Sequence, residues 1–145
     1  MRGRWLAAAL ALLAAVAPVR ALIVERTLAS PALGETRRLR IWLPPGHEAG
    51  RRYPVVYMAD GWAEAGLLLE PAVARGELPP FLIVGLASCS SPVAPPPGQT
   101  DCRQHEDMDA PEPDGRPARF AAHERFFLDE VMPLAEREFG AADRP

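Results

Sequence analysis

The 145-residue sequence contains no lysine: all 16 of its cationic side chains are arginine, set against 19 acidic residues for a formal charge of −3. A mildly acidic chain lacks the basic footprint that nucleic acid requires, so no nucleic-acid partner is expected. The lack of lysine reads as base composition, not function. Serine is scarce as well: Ser30, Ser88, Ser90 and Ser91 are the whole set. None stands in the G-x-S-x-G setting of a strand-to-helix nucleophile elbow. No apolar run approaches the ~20 residues needed to cross a bilayer. Cysteine occurs twice, at Cys89 and Cys102.

The longest apolar run is Trp5 to Ala17, behind Arg2 and Arg4 and ahead of Val19-Arg20-Ala21. Positive n-region, short apolar stretch and small residues at −3 and −1 are the parts of a secretory signal peptide. Residues 1–21 are read as that leader, and an uncleaved N-terminal anchor is the alternative. Residues 22–145 then form one small domain, in the periplasm or outside the cell. There Cys89 and Cys102 can oxidise to a disulfide, worth about 3 kcal/mol in the chain-entropy model. Two free thiols is the other reading.

Tyr53-Pro-Val-Val-Tyr-Met-Ala-Asp-Gly61 organises the rest. Its unbroken apolar run, rich in β-branched and aromatic residues, predicts a strand buried on both faces. The run stops at the turn signal Asp60-Gly61. In open α/β sheets ligands bind beyond the carboxyl ends of such strands, so Asp60, Gly61 and Trp62 form the candidate active-site rim. Upstream, Leu22–Leu28 and Thr36–Leu43 read as an antiparallel hairpin with one solvated side. In the second strand Leu39, Ile41 and Leu43 alternate with Arg38, Arg40 and Trp42. Downstream, Trp62, Ala65, Leu68 and Leu69 have helical spacing, with Pro71 expected to restart the helix and Gly76 to cap it. Phe81–Leu86 is a second buried strand, completing a βαβ unit. Residues 87–119 form a Pro-rich loop with an acidic cluster. Phe120–Phe139 is a helix that Pro133 should kink, and Gly140 should cap it.

Other residues carry weaker chemistry. Ser88 and His105 form an imaginable Ser–His pair, but serine at a strand end is usually a turn former. His105, Glu106, Asp107 and Asp109 lack the EF-hand pattern and read as a solvated acidic loop, so no metal or other cofactor is expected. His47 and His123 read as isolated surface residues. Arg37, Arg38, Arg40, Arg51 and Arg52 read as the wet face of the hairpin and a nearby loop.

Four stretches together resemble the N-terminal half of an α/β-hydrolase, in the esterase group that includes enterochelin esterases, esterase D and the secreted mycolyltransferases. They are Arg40-Ile-Trp-Leu-Pro-Pro-Gly46, Tyr53–Gly61, Gly76–Leu86 and Phe126-Phe-Leu-Asp-Glu-Val-Met-Pro133; Arg103–Glu106 loosely resembles that group's R..E loop motif. The resemblance implies a partial hydrolase sheet: N-terminal hairpin, βαβ unit and long C-terminal helix. It implies carboxylic-ester hydrolysis by a Ser–His–acid triad, none of whose members is present here. It also implies that the backbone N–H of Trp62 is half of an oxyanion hole. The missing nucleophile strand should leave a free sheet edge open to self-association. An ester would be a substrate only with the rest of the fold supplied.

Overall fold

The computed structural model describes residues 20–87, 106 and 118–142. The predicted leader, Cys89 and Cys102, Ser88 and His105 all lie outside the described residues. Four strands form one mixed sheet: β1 (Leu22–Ser30), β2 (Glu35–Leu43), β3 (Val55–Met58) and β4 (Leu82–Leu86), in the order β1-β2-β4-β3. β1 and β2 pair antiparallel over their full length, β2 and β4 antiparallel, and β3 and β4 parallel. β3 is the edge strand among the described residues.

α1 (Ala65–Ala74) lies between β3 and β4 in the chain, completing the expected βαβ unit. A long helical stretch follows the Pro-rich region: α2 (Phe120–Arg125), a π-helical turn (Phe126–Val131) and α3 (Met132–Phe139). No described helix is long and apolar enough to cross a membrane.

Apolar clusters lie on both sheet faces. On one face Leu39, Ile41 and Leu43 of β2 and Leu82, Val84 and Leu86 of β4 pack against Phe126, Val131, Leu134, Ala135 and Phe139. On the other, Trp42 and Ile83 meet Ala63 and Val73. The sheet is thus the middle of three layers, which explains why β4 is buried at every position. Sheets sandwiched in this way lose the alternation of a one-sided strand.

Several expectations need correction. β4 is the strand buried on both faces; β3 is shorter than Tyr53–Gly61 and, as the edge strand among the described residues, leaves Val56 47% exposed. The hairpin is not solvated along one whole side: Trp42 is fully buried beneath α1, where its ring meets Phe81 at 5.3 Å between centroids. Pro71 does not restart a helix but sits inside α1. That position is tolerable because the carbonyl it fails to bond belongs to Leu67, on an exposed stretch of the helix. The interruption near Pro133 is the π-helical turn before it, in which the Met132 N–H donates to the Phe127 carbonyl. Gly76 and Gly140 hold the left-handed conformations expected of helix caps, at φ 74° each.

Candidate functional site

β3 and β4 run parallel, so their carboxyl ends open on the same rim. At Met58 the strand gives way to a 3-10 turn, Ala59–Gly61. Gly61 takes φ 71°, a left-handed value that favours glycine. Trp62 follows at φ −71°, ψ 40°, and the Ala63 N–H donates to the Gly61 carbonyl at 2.8 Å. This is close to an inverse γ-turn centred on Trp62. The ring so closed runs from the Gly61 carbonyl through the Trp62 backbone to the Ala63 N–H. The Trp62 side chain is 62% exposed.

A cavity of about 390 Å³ opens at the same ends of the strands, lined by Tyr57, Ala59, Leu86, Phe120, His123, Glu124, Phe127 and Leu128. It lies between the sheet and the α2 side of the long helical stretch. Its lining is mostly apolar, as small-molecule sites generally are. Tyr57 and Phe127 meet edge to face across it, 5.1 Å between centroids. His123 is a cavity residue stacked at a tilt on Phe126, not an isolated surface histidine. His47 also has a packing role: its Nε2 meets the Phe139 carbonyl at 3.0 Å and its ring stacks on Tyr53 at 4.9 Å.

A buried charge cluster gathers at the carboxyl end of β4. Arg37, expected on a wet face, is 1% exposed and lies on the buried side of β2. Its guanidinium contacts Glu35 at 2.6 Å, donates to the Ala87 carbonyl at 3.0 Å and pairs with Glu106. Arg119 stands 3.6 Å from Glu106 and 3.7 Å from Glu35. Glu106 is therefore no member of a solvated acidic loop. Burial pushes its carboxyl above the usual range, opposed by Arg37, His123 and Arg119. Arginine pairs with its Oε1, while its Oε2 is buried without a hydrogen bond; no group of metal-holding side chains occurs among the described residues.

Ser30 is buried, and its hydroxyl accepts the Leu33 N–H at 3.1 Å in the β1–β2 turn. That is a turn-forming role. The described residues thus bring together the Asp60–Gly61–Trp62 turn, the strand ends and the cavity, but no nucleophile. Sequence reasoning missed the cavity residues and Gly85. A glycine inside an apolar strand is itself a signal of close backbone approach.

The free side of β3 is already begun by the chain's own last described residues. Tyr53 and Ala141 form a parallel bridge. The Tyr53 N–H donates to the Gly140 carbonyl and the Ala142 N–H to the Tyr53 carbonyl, both at 2.8 Å.

Comparison with solved structures finds the same layered fold. A ferulic acid esterase matches at a TM-score of 0.57 and 23% identity, over 85% of this chain and 46% of that one. An IroE-like serine hydrolase from Shewanella oneidensis matches at 0.62 and 22%, over 83% and 40%. The enterobactin esterase of Shigella flexneri matches at 0.59 and 21%, over 85% and 28%. The chain spans less than half the length of each. A family model described as "Putative esterase" matches residues 30–145, and the chain belongs to that esterase family of α/β-hydrolase fold.

Proposed function

We propose that this chain is the N-terminal portion of a serine carboxylic-ester hydrolase, with the nucleophile supplied by residues outside these 145. The observation that carries the reading is the turn at the end of β3. It sets Trp62 just past the carboxyl end of β3, three residues after Ala59, which lines the apolar cavity. A preorganised backbone donor is what the oxyanion of acyl transfer needs, and one such donor is typically worth ~10²–10³ in rate. It generates no oxyanion by itself. Residues 1–145 alone therefore turn over no ester. The export reading of residues 1–21 would place the enzyme in the periplasm or outside the cell; Leu22 as the N-terminal residue of the exported protein is the expected result of Edman sequencing.

The test uses a fluorophosphonate probe and a p-nitrophenyl ester on the purified chain. No covalent adduct and no turnover are expected. Joined to the residues encoded after codon 145, the chain should label, at a serine in a G-x-S-x-G context. Labelling of the 145-residue chain alone would overturn the proposal.

A second reading rests on the exposed edge of β3, where Val56 is half in solvent. An open apolar edge accepts another strand, and a non-catalytic module could bind a partner, or itself, in that way. Light scattering after size exclusion separates the readings: a stable complex of defined size favours the module.

A further inference from the structure

β4 carries one glycine in its apolar run, Gly85, paired in register with Met58 of β3. A Cβ built on Gly85 would stand 2.7 Å from the Gly61 carbonyl carbon, 2.9 Å from its oxygen and 3.0 Å from its Cα. The first two distances are ones that real Cβ atoms essentially never show, and the neighbour is backbone, which cannot rotate aside. The carbonyl carbon and oxygen of Gly61 belong to the same planar peptide as the N–H of Trp62. Gly61 itself has open space around its own missing Cβ, so its glycine serves the left-handed φ alone. The two glycines therefore do different things. Gly61 permits the turn, and Gly85 lets the turn lie flat against the strand.

We infer that Gly85 is a positioning residue: its bare backbone sets the plane of the Gly61–Trp62 peptide and hence the direction of the Trp62 N–H. This rests on the reading of that N–H as an oxyanion donor, and adds the element that aims it. Because the peptide is rigid, any displacement of its carbonyl turns the N–H with it. The Ala63 N–H, bonded to the same carbonyl, reports the displacement.

The experiment compares ¹⁵N-labelled wild-type chain with Gly85→Ala and Ser30→Ala. The second variant removes a buried hydrogen bond in β1, at the opposite edge of the sheet from β3, so it controls for loss of stability. Gly85→Ala should move the Trp62 and Ala63 amide resonances. It should also speed exchange of the Ala63 N–H about fivefold to tenfold, the factor expected for one neutral hydrogen bond. Ser30→Ala should leave both amides at their wild-type positions. Unmoved amides in a folded Gly85→Ala chain, or equal movement in both variants, would overturn the inference. If Gly85→Ala does not fold, the wild-type spectrum decides: a strong nuclear Overhauser contact between the α-protons of Gly85 and Gly61 is required, and its absence refutes the assignment. These readouts need no turnover, so they stand or fall apart from the ester assay.

Discussion

Gly66→Ala sets helix propensity directly against packing. Gly66 lies in the first turn of α1, where alanine should be better by about 1 kcal/mol on backbone grounds. Yet a Cβ there would press into the indole of Trp42, against its Cγ, Cδ2 and Cε2 carbons. The ring cannot retreat: it is fully buried on the sheet, with Phe81 beside it. Overpacking costs about 1–3 kcal/mol, and more where neighbours are held. The substitution should therefore destabilise by up to about 2 kcal/mol net of the propensity gain. At about 4 °C per kcal/mol for a domain of this size, that lowers Tm by several degrees. Urea and thermal unfolding followed by circular dichroism would measure it. The same substitution in a Trp42→Leu background removes the clash and should become neutral or stabilising, a coupling of at least ~0.5 kcal/mol. A higher Tm for Gly66→Ala alone, or strict additivity in the cycle, would refute the packing argument.

Glu106 supplies a pH prediction. Burial raises its folded-state pKa, so the folded chain holds that proton more tightly than the unfolded chain does. Stability from this group is full at acid pH and falls as pH rises from about 4.3 through the raised value. Glu106→Gln should flatten that limb of the stability profile measured by urea titration at successive pH values; an unchanged slope would count against it. Val56→Lys should reduce self-association in light scattering without lowering Tm by more than about 1 kcal/mol equivalent, since a charge on an edge strand blocks strand pairing. Ser30→Ala should cost about 1 kcal/mol through the lost bond to the Leu33 N–H. It should leave fluorophosphonate labelling of an active, completed enzyme intact; loss of labelling would make Ser30 more than a turn former.

Much of the architecture was legible because local pattern and global position agree. β2 alternates, β4 is continuously apolar, and the Asp60-Gly61 signal ends β3 where the chain turns. The errors came where tertiary neighbours decide. Trp42 sits on the polar parity of β2, and only α1 makes that position dry. Arg37 shares parity with Leu39, Ile41 and Leu43, so its inward direction was readable. Its charge hid this, because the carboxylates that make burial tolerable come from Glu35 and from Glu106, 69 residues away. Pro71 looked like a helix start because sequence cannot show which carbonyl a neighbouring layer leaves in solvent. The cavity residues were invisible for the same reason: Tyr57 and Phe127 are 70 positions apart in sequence and meet only where the helical stretch packs on the sheet.

Folding and chemistry are separable in this arrangement. The cluster under α2 and α3 is closed by Tyr53, Phe139 and Ala141, all of them buried. Nothing in that closure requires a further strand along Val55–Met58. The rim is different. A hydrogen-bond donor stabilises an oxyanion most where water is excluded and its direction is fixed beforehand. On the proposed reading of Trp62 as such a donor, Gly61 and Gly85 would supply its direction but not the exclusion of water, since the Trp62 side chain stands largely in solvent and β3 is the edge strand among the described residues. The pairing begun at Ala141 runs parallel to β3 and on its free side. A strand extended from there would cover that edge and bring its own carboxyl end to the rim, so one addition would supply both the shelter and the place for a nucleophile. Amide exchange can check this: in a chain carrying that strand, the Val55 and Tyr57 amides, which face the same side of β3 as Tyr53, should be protected together with those of β4, whereas protection confined to Val56 and β4 would show that the added residues do not pair there.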